Sequence, residues 1–170
     1  MNPTPTAERF AAPRSFQPPR SVGRLGWVNG NLAKVVMSET TVHYEGSLRC
    51  RAEHAESGAV VVTNAPKENH GSGASFSPSD LLSVALGSCI LSAMGIHARA
   101  MNLDIAGATA RVSKQMANAP RRIAGISVHV QVPGELSESQ KQKLEAAAHG
   151  CPVHNILKVE APISFSWGAS

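Results

Sequence analysis

The segment from residue 77 to about residue 100 constrains the fold of this chain more than any other. It opens with Ser77-Pro78-Ser79-Asp80, where the first serine is a favoured N-cap and the proline suits the first helical position. The acid three residues after that serine completes a capping box. Residues 81–96 are then apolar or small on nearly every helical face. A helix without a polar face is buried on all sides, so we predict a central helix wrapped by sheet and by a second subunit.

The flanking segments predict an α+β fold. Short β-branched or alternating runs precede the helix, separated by hairpin turns at Gly46 and Ser57-Gly58. Longer alternating runs and two capped helices follow it, so the order β-β-β-α-β-β-α-α-β is not the alternation of a parallel sheet. We expect antiparallel sheets around the long buried helix. The elements expected around it are strands at 41–44, 48–54, 59–63, 104–116 and 123–132, helices after Ser137 and Cys151, and a strand at 163–167.

Composition indicates the cellular compartment of this chain and the classes of partner that it can bind. We identify no run of about 18 apolar residues and expect no membrane-spanning segment. Three cysteines in 170 residues argue against a secreted disulfide scaffold, and no apolar signal segment opens the chain, so we expect a cytoplasmic protein. Residues 1–36 carry five basic side chains and one acidic one, which accounts for the whole net charge of +4. The neutral remainder predicts no nucleic-acid binding by the fold.

The N-terminal residues read as a separate segment. Residues 1–36 hold five of the eleven prolines and show no sustained periodicity. We therefore predict that residues 1–38 are a disordered or spurious extension and that residues 39–170 form the folded domain. An Arg-rich, acid-poor leader also resembles an organelle transit peptide. The other interpretation is that translation starts at Met37, just before the first strand pattern.

The three cysteines are the first candidates for chemistry. Cys89 lies in the middle of the predicted central helix, and Cys151 begins a short helix. Backbone N–H groups and the helix dipole would favour a thiolate at Cys151, so its pKa could be lowered. Cys50 lies in a strand, and its role stays open. The alternative is that all three are small buried hydrophobic residues, because spacing alone does not identify a redox pair.

Histidines near these cysteines allow two further interpretations. His149, Cys151 and His154 could supply three zinc ligands, with a fourth from Cys89 or His97. Neither spacing is that of a zinc finger, and we expect no metal site. A Cys-His hydrolase would instead use one of the two cysteines as nucleophile and His154 or His97 as base. No oxyanion loop supports that interpretation, and ordinary structural histidines remain the simpler one.

Two arginines flank Cys50. Arg49 and Arg51 share one face of the predicted strand, and Cys50 should point to the opposite face. If the arginine face covers the cysteine-bearing helix, a guanidinium could stabilise a thiolate. The alternative is a solvated pair on an exposed sheet face.

Two segments resemble the signatures of a known family. Residues 77–89, SPSDLLSVALGSC, and residues 151–157, CPVHNIL, are similar to the SPxELLxxALGxC and CPV motifs of the OsmC-like branch of the OsmC/Ohr family. The resemblance covers roughly residues 40–167 in the right order. It includes the Pro-Arg-Arg-Ile turn between the two longer strands. The N-terminal segment has no counterpart in the family.

The resemblance implies a thiol-dependent reductase of organic hydroperoxides, built as an intertwined homodimer with active sites at the subunit interface. By the motif match, Cys89 would attack the peroxide and Cys151 would resolve the sulfenic acid as a disulfide. Arg49 is the position that matches the family's thiolate-stabilising arginine. No resident cofactor is implied. The expected partners are a second copy of the chain, an organic hydroperoxide and a dithiol reductant such as a lipoyl protein or a small thiol.

One departure from the family pattern opens a second hypothesis. The Ohr branch has a glutamate ten residues before the reactive cysteine, paired with the arginine, whereas this chain has Ser79. Asp80 matches the acid of the OsmC-like branch and would act as an acid partner or as a helix cap. The alternative function is therefore a dimeric stress or binding protein with an apolar interface pocket and little peroxidase activity.

Overall fold

The computed structural model describes residues 24–28, 31–35, 38–157 and 162–168, the first two ranges by backbone alone. Arg24–Val28 and Asn31–Val35 (β1 and β2) form an antiparallel pair. The rest of the predicted N-terminal extension lies outside the described residues, so its disorder, the start at Met37 and the boundary at residue 38 stay predictions. The other strands are Thr40–Gly46 (β3), Arg49–His54 (β4), Val60–Asn64 (β5), Thr109–Asn118 (β6), Arg121–Val132 (β7) and Ile163–Trp167 (β8), and the helices are Pro78–Ala100 (α1), Glu138–His149 (α2) and Pro152–Ile156 (α3).

From β3 onward, the element order is the predicted β-β-β-α-β-β-α-α-β, and the α+β fold is confirmed. β3, β4 and β5 form one antiparallel sheet, and β6, β7 and β8 form a second. β8 runs parallel to β7, because α2 and α3 carry the chain across before it returns. The strand expected from Asp104 begins only at Thr109, after a turn in which Gly107 adopts φ +86°.

The central helix α1 begins as its sequence predicts. Ser77 accepts a hydrogen bond from the Asp80 backbone N–H, and Asp80 in return accepts one from the Ser77 backbone. The 23-residue helix has a mean hydropathy of 1.8 over 18 residues, so by length and composition it could cross a membrane. The prediction that no segment of this length and composition occurs is therefore wrong. The core helix of a globular fold has the same properties, and buried residues such as Leu86, Ile90 and Met94 give α1 that role.

The core lies in the second half of the chain. Among the described residues, every buried apolar side chain belongs to α1, β7, α2 or Cys151. β3–β5 contributes only polar residues to the buried set, Thr63 and Asn64. The register places Val42, Tyr44, Cys50, Ala52 and Val61 on one face of that sheet. Val42 and Tyr44 remain 62% and 66% exposed, so none of the described residues covers this apolar face.

A short loop joins this sheet to α1 and is held by Asn64. The Asn64 side-chain oxygen accepts hydrogen bonds from the backbone N–H groups of Ser72 and Gly73 and from the Ser72 hydroxyl. Its amide donates to the carbonyls of the β3–β4 turn. At Gly71, a Cβ atom would lie 1.7 Å from the Ala65 carbonyl oxygen, so only glycine fits there. The loop therefore has one tightly specified path.

Candidate active site

The fold brings Cys89 and Cys151 together. Cys89 lies in the middle of α1 and is partly exposed, whereas Cys151 is the N-cap of α3 and is fully buried. Cys89 packs against the buried cluster that contains Cys151, and the two thiols are close enough for Cys89 to raise the pKa of Cys151. Contacts of α1 with both α2 and α3 produce this meeting of residues that are 62 positions apart.

The Cys151 thiol is held in its protonated form. Burial raises its pKa, and the contact with Cys89 raises it further. The backbone N–H groups of Val153 and His154 act in the opposite direction, as the sequence analysis expected of a helix start. Their effect is smaller, and the side chain makes no capping hydrogen bond. The expectation of a lowered pKa at Cys151 is therefore wrong, because desolvation outweighs the helix terminus.

Cys50 lies apart from this pair. It sits on β4 opposite Tyr44 and Thr63, on the apolar face of the β3–β5 sheet. In the described part of the chain, that sheet makes no extensive contact with α1. Cys50 is thus on the face opposite the arginines, as the strand alternation predicted.

Arg49 does not join the cysteines within one chain. Its Nε donates to Glu45 at 2.8 Å, and its side chain is 46% exposed. Arg51 pairs with Glu53 at 2.9 Å on the same sheet face. The apolar face that would suit a hydrophobic helix is the opposite one. Among the described residues, the ionic partner of the Arg49 guanidinium is therefore Glu45.

Asp80 is engaged at the start of α1. Its carboxylate caps the helix through the Ser77 N–H at 2.8 Å and forms an ion pair with Lys114 of β6. The Lys114 ammonium also donates to Ser79 at 2.7 Å. These bonds, chiefly the one from Lys114, lower the pKa of Asp80 to about 2. Asp80 is therefore a charged cap, and its ionic partner in this chain is Lys114 rather than Arg49.

The histidines form no ligand cluster with the cysteines. His149 and His154 meet edge to face with ring centroids 5.8 Å apart. His97 is exposed, and its Nδ1 lies 3.0 Å from the Ala93 carbonyl oxygen. Across the described ranges, no group of three or more His, Cys, Asp or Glu side chains converges as metal ligands would. The zinc interpretation has no geometric support there.

Sequence reasoning missed Lys114 and Glu45. β6 alternates between exposed and half-buried positions, and Lys114 falls on the same side as Ala110 and Val112. A lysine in the inward phase of an alternating strand signals a buried acidic partner, so this residue could have been found. Glu45 gave no such signal, because its approach to Arg49 depends on the β-bulge between Tyr44 and Gly46.

Several solved structures are similar to the chain. A Psychrobacter arcticus protein, assigned provisionally to osmotic stress induction and detoxification response, is 37% identical, with a TM-score of 0.71. The alignment covers 77% of this chain and 96% of that protein. Two more distant structures match with similar coverage and show the fold alone. An organic hydroperoxide resistance protein from Legionella pneumophila is 18% identical (79% and 98% covered, TM-score 0.61), and an OsmC-like protein from Mycoplasma pneumoniae is 16% identical (78% and 98% covered, TM-score 0.66).

A family comparison agrees with these structures. No protein with a curated description matches the chain. Residues 70–166, which include α1, both cysteines of the pair and most of β8, match the family described as OsmC-like protein. This chain belongs to the OsmC-like protein family.

Proposed function

We propose that this protein is a cysteine-based reductase of organic hydroperoxides that acts in oxidative-stress defence in the cytoplasm. The observation that carries the proposal is the packing of Cys89 against the buried cluster that contains Cys151, where the two thiols are close enough to interact. Family membership adds support, since structural neighbours from Legionella pneumophila and Elizabethkingia anophelis are named organic hydroperoxide resistance proteins. The chemistry needs no resident cofactor, only an external dithiol.

The reaction would proceed in three balanced steps. The Cys89 thiolate attacks the distal peroxide oxygen, the O–O bond breaks, and the alkoxide takes a proton and leaves as an alcohol. The Cys151 sulfur then attacks the Cys89 sulfenic acid, and its proton leaves with the hydroxide as water. Two electrons from a dithiol reductant, such as a lipoyl protein or a small thiol, reopen the disulfide by exchange.

Burial supports this division of roles. Cys89 is partly exposed, so a peroxide can reach its sulfur, whereas Cys151 is sealed from solvent. The raised pKa of Cys151 suits a thiol that waits for a sulfenic acid beside it rather than one that attacks first. Because the two thiols already lie close enough to interact, they are placed to form the S–S bond once one of them is oxidised.

Counting free thiols during turnover tests the proposal. One equivalent of cumene hydroperoxide should reduce the three free thiols to one, with Cys89 and Cys151 joined. Cys89→Ser should abolish turnover, and Cys151→Ser should leave a sulfenic acid that dimedone traps. Cys50→Ser is the matched control and should turn over as the wild type does. Peroxide consumption that survives Cys89→Ser would contradict the proposal.

The exposed apolar face of β3–β5 supports a homodimer. Val42 and Tyr44 lie on that face, and α1 leaves Val84 and Ile96 exposed, at 47% and 68%. Burying these surfaces against each other in two copies would cover both. Tyr44→Lys should shift the mass found by light scattering from dimer to monomer. Thr41→Lys, on the other face of the same strand, should not.

The role proposed for Arg49 depends on that dimer. Arg49 lies on the face opposite Val42 and Tyr44 but at the first position of β4, so its guanidinium would have to reach around the end of the sheet to the partner's cysteine pair. Arg49→Ala should slow peroxide reduction strongly, whereas Arg51→Ala, two residues along the same face, should not. Equal effects of the two substitutions would remove Arg49 from the site.

An open groove favours the competing function. About 620 Å³ lies between α1 and β6, lined by apolar residues such as Phe76, Val84 and Leu91 and by Lys114. In a binding or stress protein this surface would hold a small apolar ligand, and the thiols would be unreactive. The thiol count above separates the two functions, because that alternative predicts no loss of thiols with peroxide.

A further inference from the structure

A second groove, between α1 and α2, has a distinct chemical character. It encloses about 390 Å³, within the range of small-molecule sites. Its walls are mainly alanines with Met101, and His97 and Lys143 are the two side chains in its lining that can carry positive charge. No acidic residue lines it. The groove therefore combines an apolar floor with a cationic rim.

The positions of the lining residues on the two helices show which end of this groove lies near the cysteine pair. On α1, Ala93, His97 and Ala100 follow the spacing of one helical face, and Cys89 is the next position of that face toward the N-terminus. On α2 the lining ends at Gly150, which Cys151 follows. The cysteine pair thus lies beyond one end of the groove. Ala100 and Met101 lie toward the other.

We propose that this groove binds a linear aliphatic carboxylate. The carboxylate pairs with Lys143, and the alkyl chain lies over the alanines and points toward Cys89. Ala93 and Ala100 are about 10 Å apart along the helix axis, a span that suits a medium-chain alkyl group. The Lys143 ammonium and the missing acid select an anionic head group over a neutral one. The site does not depend on peroxide chemistry, because the ligand need not react.

Titration calorimetry with decanoate and decanol tests the head group. Decanoate should bind the reduced wild-type protein at one site per chain and more tightly than decanol. Lys143→Met should weaken decanoate binding about fivefold, the effect of an exposed ion pair, and Lys143→Glu should weaken it more. Lys141→Met, on the same helix but outside the groove, is the matched control and should bind normally. Absence of binding, equal binding of decanol, or equal effects of the two lysine-to-methionine changes would overturn the proposal.

Two further measurements test the apolar channel and its direction. Ala146→Phe should fill the groove and abolish binding, and unchanged binding would place the ligand elsewhere. In the Cys50→Ser background, decanoate should slow alkylation of Cys89 by iodoacetamide, followed by peptide mass spectrometry. Binding without this protection would overturn the orientation of the tail. None of these readouts uses peroxide turnover, so they can fail while the proposed reductase activity holds, or the reverse.

Discussion

The two halves of this chain differ in how many apolar side chains they bury. α1, β6–β8, α2 and α3 enclose a core in which Leu86, Ile90, Val130 and Leu144 are completely buried. The β3–β5 sheet has regular pairing but encloses no apolar residue of its own, and Val42 and Tyr44 stand in solvent. Pairing of strands thus does not by itself make a stable unit. The second half has a buried apolar core, whereas the described residues of the sheet contribute no buried apolar side chain.

The largest expected effect comes from matched leucines in the two halves. Leu86→Ala should lower the free energy of unfolding by about 2–5 kcal/mol, because it opens a cavity in a packed core. Leu48→Ala, at a residue 43% exposed in the β3–β4 turn, should change it by about 0.5 kcal/mol or less. Urea denaturation of both variants measures the difference. An equally large loss for Leu48→Ala would show that the sheet is covered in solution.

The reactivities of Cys151 and Cys50 provide a second comparison between the packed half and the sheet. Cys151 is fully buried, and its raised pKa leaves less thiolate at neutral pH than an ordinary thiol has. In the native protein it should react with iodoacetamide at least about tenfold more slowly than Cys50 of the exposed sheet. Peptide mapping after timed alkylation gives both rates. Comparable rates would mean that α3 opens readily, and in urea the difference should vanish.

The Asp80–Lys114 ion pair anchors the better-packed half and should respond to acid. In the folded protein the pKa of Asp80 is about 2, below the ordinary value of 3.8. The ion pair therefore stabilises the fold above about pH 4 and loses that effect as the pH falls toward 2. Lys114→Met should cost about 1 kcal/mol at neutral pH, a value reduced because the Asp80 side chain is 43% exposed. The variant should also lose part of its acid sensitivity between pH 4 and 2. Chemical denaturation at each pH measures the free energy of unfolding of the wild type and of the variant. If that free energy depended on pH in the same way in both proteins, the Asp80–Lys114 ion pair would be contradicted.

The smallest effect is expected for the corresponding pair in the sheet. Arg49 and Glu45 are in contact at 2.8 Å, but their side chains are 46% and 35% exposed. Glu45→Gln should therefore change the free energy of unfolding by less than about 0.5 kcal/mol. A cost above about 1 kcal/mol in denaturation would show that this pair is buried by a partner.

Much of the fold could be predicted because its signals are local. The capping box at Ser77, the unbroken apolar run of α1 and the second box at Ser137 each act within a few residues. The parallel placement of β8 beside β7 has no such signal. It follows from the path of α2 and α3, which a list of elements does not contain.

The candidate site was less predictable because its properties depend on contacts between residues that are far apart in the sequence. Family motifs pointed to Cys89 and Cys151, but the pKa direction at Cys151 depended on how far burial outweighs two backbone N–H groups. The ion pairs of Asp80 and Arg49 were likewise set by tertiary contacts. Lys114 reaches Asp80 from 34 residues away. Only the inward phase of β6 hinted at it.

The loop held by Asn64 has a consequence for where the apolar face of the β3–β5 sheet lies. Gly71 leaves no room for another side chain, and one amide ties the loop to the β3–β4 turn at the same time. The sheet is consequently held at a fixed angle to the part of the chain that contains the helices. A Gly71→Ala substitution would release that angle without touching either thiol of the cysteine pair, and the apolar face of the sheet would no longer have one fixed position.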